Sequence, residues 1–266
     1  MQSIVRATTI SSCYIGPAIS PEQFISEHFF LYLAEGSIVG YDGQKKYSMK
    51  AGEYCIARKN HLARYSKLKD DGRFSKVVVV FDEVFLKEYQ KKYRVAAGES
   101  RLNDTFVLLN KSEMVLNFVN SLAPYYQGGG KIDERFSQLK REELLLILLQ
   151  TNPGLGDVLF DFGIPEKIDL KAFMNNNYKF NVSMERFAFL TGRSLSAFKR
   201  DFKKIFDDTP GHWLIQRRLK EGYFMIDKKG EKPSDIYIEL GFEDLSHFSF
   251  AFKKMFGITP ASLMKK

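Results

Sequence analysis

The sequence predicts an α+β chain of two domains. An N-terminal β-sandwich or barrel is followed by helices, and a C-terminal all-α domain carries two helix-turn-helix motifs joined by a linker helix. Three observations carry this expectation. Between Glu22 and Asp82, short β-rich runs recur at roughly ten-residue spacing, bounded by glycine turns. From Asp82 onward the apolar residues move to helical spacing. Between Ser183 and Pro260 one phrase is written twice, about fifty residues apart.

In chain order, HFFLYLAEG from His28 to Gly36 is a strand closed by a Glu-Gly turn. Asp42-Gly43 and Ala51-Gly52 are turns between further β-rich segments. SKVVVVFD, from Ser75 to Asp82, is a strand without alternation. The stretches VFLKEYQKKY and KSEMVLNFVNSLAPYYQ are helical, and Gly128-Gly129-Gly130 breaks the second. From Asp133 to Gln150 a helix puts Phe136, Leu139 and Glu143 off one side, with Leu144, Ile147 and Leu148 following at helical spacing. Its apolar second half suits burial against the β-domain or a homodimer interface, and both hold if different faces are used. Residues 151–167, with three glycines and two prolines, form the boundary between a domain at 1–160 and one at 168–266.

Charge divides unevenly between these parts. Residues 164–266 carry 19 Lys/Arg against 13 Asp/Glu, so most of the formal +8 lies there. An excess of this sign favours a polyanion or an anionic membrane face and does not choose between them. Cys13 and Cys55 cannot build a metal framework and read as two reduced thiols used as small hydrophobes. No secretory signal pattern opens the chain, and the longest apolar run, Leu144 to Leu149, is too short for a bilayer. The expectation is a soluble, cytoplasmic protein with no membrane partner.

The repeat carries the chemistry. Leu195-Ser196-Ala197-Phe198 through Phe206 and Thr209-Pro210 matches Leu245-Ser246-His247-Phe248 through Phe256 and Thr259-Pro260, each copy preceded by a short apolar helix ending in Gly192 or Gly241. In the first copy Ser183 and Ser194 stand at N-cap positions. Leu195, Phe198, Phe202, Ile205 and Phe206 share one face, while Ser196, Lys199, Arg200 and Lys203 share another. A helix that enters a major groove needs both: the apolar stripe fixes its approach, and the polar, basic stripe meets base edges and phosphates. The second copy keeps the apolar face with Leu245, Phe248, Phe252, Met255 and Phe256. Its other face is Ser246, Ser249, Phe250 and Lys253, with His247 beside it, and Phe250 replaces Arg200. A phenylalanine there must pack locally or touch a thymine methyl; local packing is the expectation. Between the copies, residues 209–227 form a linker helix, with Trp213 read as core.

From Ile168 to Leu263 these residues resemble the DNA-binding domain of the AraC/XylS family of bacterial transcription regulators. The resemblance rests on Ala188 to Gly192, Phe202-Lys203, Arg218-Leu219 and above all ELGFEDLSHFSFAFKKMFGITP from Glu239 to Pro260. It implies that Ser196, Lys199 and Arg200, and in the second motif Ser246, His247, Ser249 and Phe250, read bases in double-stranded DNA. It implies that Lys203, Lys204, Lys253 and Lys254 meet phosphates. An activator of this kind has RNA polymerase as a further partner. Tyr237 stands where the family has a small alanine, Gly222 replaces another alanine, and Phe250 stands where a basic residue is usual. The segment from Leu31 to Ser66 is similar to the cupin-like arm of the same family, which binds a small-molecule or protein effector and often dimerises.

A cupin-like domain also raises a metal enzyme as an alternative. That chemistry needs two or three histidines and a carboxylate around one ion, and the N-terminal part holds only His28 and His61. No nucleophile elbow, P-loop or dinucleotide fingerprint occurs. No catalytic residue, metal or cofactor is therefore expected. His61 and Arg64, flanked by Arg58 and Lys59, are candidates for holding an anionic effector. A second alternative, a protein-interaction regulator with weakened DNA binding, is kept open by Phe250 and Tyr237.

Overall fold

The computed structural model describes residues 12–15, 22–95, 98, 104–125 and 132–264, so the triple-glycine break lies outside the described residues. The chain divides into two compact units, Met1–Pro21 with Ile25–Gly163, and Glu22–Phe24 with Ile164–Lys266.

The strands are β1 (Cys13–Ile15), β2 (Phe24–Ile25, of which only Ile25 belongs to the first unit), β3 (His28–Glu35), β4 (Ser37–Tyr41), β5 (Lys46–Lys50), β6 (Tyr54–Ala57), β7 (His61–Leu62), β8 (Arg64–Leu68), β9 (Ser75–Phe81) and β10 (Phe106–Leu108). The helices of the first unit are α1 (Glu83–Tyr93), α2 (Glu113–Ser121), α3 (Glu134–Thr151) and α4 (Leu155–Leu159). A five-stranded sheet runs β1-β9-β3-β6-β10, and a second sheet runs β5-β4-β8. Gly36 separates them. Its φ of +83° turns the chain out of β3, and a Cβ there would sit 2.7 Å from the Leu68 carbonyl oxygen.

Alternation along β3 and β9 builds a three-layer stack. Phe30, Tyr32, Val77, Val79 and Phe81 face α1–α4, with Val115, Phe118, Leu144 and Leu148 against them. Phe29, Leu31, Leu33, Val78 and Val80 face the second sheet through Ile38 and Met49. Both faces of β9 are covered, which is why its sequence is apolar without alternation. Two packed sheets agree with the sandwich part of the expectation. Among the described residues no closed barrel forms, because the turn at Gly36 hands β4 to a separate sheet instead of continuing the first.

Leu155, Leu159 and Phe160, which the sequence reading places both in the 1–160 domain and in the 151–167 boundary, sit in the core of this unit, since α4 lays its apolar face on α3. Arg141 of α3 is buried and stacks its guanidinium 4.0 Å from the Phe85 ring centroid. Its Nε donates to the Val80 carbonyl at 2.8 Å, and its Nη2 pairs with Asp82, the N-cap of α1. One long side chain thereby pins α3 to the end of β9. The opposite side of α3 leaves Phe136, Leu139 and Leu146 exposed.

The second unit contains α5 (Leu170–Asn177), α6 (Met184–Leu190), α7 (Leu195–Phe206), α8 (Pro210–Lys229), α9 (Pro233–Ile236), α10 (Leu245–Phe256) and α11 (Pro260–Met264). The repeat is a repeat of caps as much as of core. Ser183 and Ser194 accept from the amides of Arg186 and Ala197, both at 3.3 Å. Each Thr-Pro opens a helix: Thr209 Oγ1 accepts from His212 N at 3.4 Å, and Thr259 Oγ1 from Ser262 N at 3.1 Å, with the prolines in the first turn. Phe198 and Phe202 in one copy, and Phe248 and Phe252 in the other, are fully buried. Each such side chain removed from water contributes roughly 1.5–3 kcal/mol. Trp213 is half-buried, edge-on to Phe202, so it flanks the aromatic ladder more than it fills a core. Ile205 at 42% and Leu245 at 38% exposure sit at the open edge of their stripes, away from the buried phenylalanines.

Candidate nucleic-acid interface

α7 begins at Ser194 and ends at Asp207, whose left-handed φ of 53° stops the helix. Phe198 and Phe202 anchor one side. Opposite them, Ser196, Lys199, Arg200, Lys203 and Lys204 are all exposed, so the structure brings together every residue of the expected first reading face. The acid within this helix is occupied from its inner side. Arg193, its own side chain buried, reaches Asp201 Oδ2 at 3.2 Å, and Lys167 lies 3.7 Å away. The hydrogen bond from Arg193 holds the Asp201 carboxyl below its ordinary range. Arg200 lies only at 3.7 Å from the same carboxylate and stays largely in solvent. Lys203 instead donates to the Asp207 carbonyl at 2.8 Å and its carboxylate at 3.0 Å, across an exposed helix end.

In α10 the N-cap is Asp244, which accepts from His247 N at 2.6 Å. Ser246, His247, Lys253 and Lys254 are exposed, Ser249 is half-buried, and Phe250 is 71% exposed. The His247 ring leans edge-on against Phe242, with centroids 5.4 Å apart. The expected local packing of Phe250 is not found among the described residues, which leave most of its surface open. Its position lies on the far side of the helix from Phe248 and Phe252, where the neighbouring turns offer serine, histidine and lysine.

The second motif and the segment that follows α5 are tied to α8 by a residue whose structural role composition does not signal. Arg218 is buried, and its guanidinium donates from Nε to the Tyr178 carbonyl at 2.7 Å, from Nη2 to Phe180 O at 2.7 Å and from Nη1 to Gly241 O at 2.8 Å. Burial pulls this group down to about 10, so it remains charged at neutral pH. The same helix gives room at Gly222, where a Cβ would meet Leu240 Cδ1 at 2.9 Å and Phe248 Cε2 at 3.1 Å. A methyl at this position would press on two buried side chains that pack the second motif. Tyr237 is half-buried at the edge of the same apolar cluster.

In the first unit, His61 Nδ1 lies 2.7 Å from the Lys59 carbonyl, and the Arg64 guanidinium lies 4.9 Å from the Tyr41 ring centroid. Neither lines the apolar cleft between the two sheets, whose walls include Phe29, Leu31, Met49, Tyr65, Lys76 and Phe106. Burial lowers the Lys76 amine from its ordinary range. Among the described residues, no group of three or more His, Cys, Asp or Glu could hold a metal ion. No described helix is long and apolar enough to cross a membrane.

Residues 28–157 match the family described as the ExsA N-terminal regulatory domain, and residues 187–266 match a helix-turn-helix domain family. The chain is similar to the virulence regulon transcriptional activator VirF of Yersinia enterocolitica, 24% identical over 237 residues that cover 86% of each protein. It is also similar to the thermoregulatory protein LcrF of Yersinia pestis, 30% identical over 127 residues that cover 47% of each. A solved structure of ToxT from Vibrio cholerae aligns over 96% of this chain and 95% of its own, at 13% identity and a TM-score of 0.38. With a duplicated helix-turn-helix, a matched regulatory domain ahead of it and transcriptional activators among its relatives, the chain belongs to the AraC/XylS family of DNA-binding transcriptional regulators and is not an enzyme.

Proposed function

We propose that this regulator binds a two-part site on double-stranded DNA and that α7 supplies most of the sequence readout. The observation that carries this is the common exposure of Ser196, Lys199 and Arg200 on a helix whose other side is anchored by buried Phe198 and Phe202. Arg200 offers a planar fork suited to guanine, and Ser196 and Lys199 are short- and long-range hydrogen-bonders beside it. Lys203, Lys204, Lys253 and Lys254 neutralise phosphates, while Ser246, His247, Ser249 and Phe250 face bases from the second helix. α8, 20 residues long, spans about 30 Å at 1.5 Å per residue, commensurate with the roughly 34 Å between successive major-groove faces.

Residues 1–160 then act as the sensing part and residues 168–266 as the reading part, in the cytoplasm. The apolar cleft and the resemblance to a cupin-like arm support an effector or partner protein as the signal. The exposed Phe136, Leu139 and Leu146 of α3 support a homodimer, with activation through RNA polymerase.

The deciding experiment is selection of bound sequences from a random DNA pool with the full chain at low salt. A reproducible site whose log K falls steeply with log salt is expected, by about 0.9 per phosphate contact. Failure to enrich any sequence would overturn the DNA reading and favour a regulator that acts through protein contacts. Light scattering over a concentration series tests the dimer; a monomer at high concentration would sink that part.

A further inference from the structure

We infer that Phe250 is a base-reading residue specific for thymine, its phenyl ring meeting the 5-methyl group in the major groove. This rests on the DNA-binding reading above and adds a base preference to it. Phe250 is the sixth residue of α10, as Arg200 is the sixth of α7, and each stands two residues after the first buried phenylalanine of its helix. The scaffold therefore presents the two side chains at equivalent points.

What surrounds the ring selects its occupant. Ser246 and His247 lie one turn before it, and Lys253 and Lys254 one turn after, all exposed. Among the described residues no aromatic ring packs on Phe250, and 71% of it faces solvent. Helix α10 contains no acid at all, so the ring is ringed by hydroxyl, imidazole and two ammonium groups. A basic rim of this kind favours a polyanion over an apolar protein surface. On that polyanion a phenyl ring can form no hydrogen bond to a base edge. The apolar feature that the major groove offers it is the thymine methyl. The second motif, which lacks the arginine of the first, is therefore a reader of different chemistry and not a degenerate copy.

The test uses the full chain and the site enriched by selection. Each thymine of the α10 half of that site is replaced in turn by deoxyuridine, which removes the methyl and nothing else. At one or two positions the replacement should weaken wild-type binding about fourfold, the effect of removing one buried methyl-sized group from apolar contact. Phe250→Ala should bind the thymine site about as weakly as wild type binds the deoxyuridine site, and should be indifferent to the replacement. Phe250→Arg should move the preferred base at that position toward guanine. A wild-type protein indifferent to every deoxyuridine, or a Phe250→Ala variant that keeps the sensitivity, would overturn the inference while leaving DNA binding intact. Unchanged affinity of Phe250→Ala with loss of transcription by added RNA polymerase would also overturn it, in favour of a protein contact. Failure to enrich any site would instead strike the DNA-binding reading itself. Because Phe250 is exposed, unchanged thermal melts of both variants separate recognition from folding.

Discussion

Arg218 and Gly241 are fitted to one another: the Arg218 Nη1 donates to the Gly241 carbonyl at 2.8 Å, and a Cβ on Gly241 would stand 2.8 Å from the guanidinium carbon. Gly241 also has a φ of +85°, which a side chain would strain. The first turn of the second motif is thus fastened by an arginine on α8 that simultaneously satisfies Tyr178 and Phe180. Arg218→Leu removes one charged donor from each of three buried carbonyls, and a loss of about 3–5 kcal/mol is expected. Thermal unfolding of the C-terminal unit, followed by circular dichroism of the full chain, should fall by roughly 10 °C or more. Arg218→Lys should rescue little, because a point donor cannot reach three acceptors. A melt within 2 °C or so of wild type would refute the fastening role.

Gly222→Ala sets two effects against each other. Alanine improves an interior helix position by about 1 kcal/mol. Its methyl would press on Leu240 and Phe248, both fully buried, and overpacking of this kind costs about 1–3 kcal/mol. The packing term is expected to win, with net destabilisation of about 1 kcal/mol in urea unfolding. Stabilisation would mean that the α8–α10 contact relaxes at little cost.

Arg200→Ala and Lys204→Ala should separate readout from attraction. Removing Arg200 is expected to cost about 1–3 kcal/mol on the selected site and much less on unrelated DNA. Removing Lys204 should weaken all sequences alike and lower the salt slope by about 0.9. Equal, sequence-independent losses for both would assign Arg200 to the phosphates. The comparison uses Lys204 because Lys203 already bonds Asp207.

His28 predicts a pH dependence in the first unit. It is buried, its Nδ1 accepts from Lys59 N at 3.2 Å, and among the described residues its Nε2 has no partner. Burial first, then Lys59, Arg58 and His61, hold its imidazole well below the ordinary value of 6.5. The unfolded chain therefore binds a proton near pH 6.5 that the folded chain refuses. The stabilisation is complete above that pH and declines as pH falls, by up to about 1.4 kcal/mol per unit. His61, also lowered by burial, adds in the same direction. Unfolding midpoints between pH 7.5 and 5 should fall for wild type and fall less for His28→Asn. Parallel curves for the two proteins would exclude His28 as the source.

Much of the C-terminal unit is legible because its signals are local. Ser183, Ser194 and Thr209 cap helices within three residues of themselves, and the phenylalanine stripes repeat at helical spacing. The exposed polar and basic face of α7 follows from that spacing alone. The strands His28–Glu35 and Ser75–Phe81 are equally visible in their apolar runs. Less legible was the first unit's arrangement, where short strands fit a barrel or a sandwich and the turn at Gly36, where a Cβ would meet Leu68 and Phe74, passes the chain to a second sheet.

By itself the sequence determined the duplication, the caps, the apolar and basic faces of each helix and the place where the β pattern ends, because each depends on residues a few positions apart. Only the tertiary structure decided which charged side chains leave the surface. Arg141 and Arg218 are polar by composition and buried in fact, as is the side chain of Arg193, and each bonds a backbone carbonyl far from it in sequence. It also decided that Phe250 stays in solvent. A hydrophobic residue is core only where a neighbouring element arrives to cover it, and the far side of α10 receives none from the described residues.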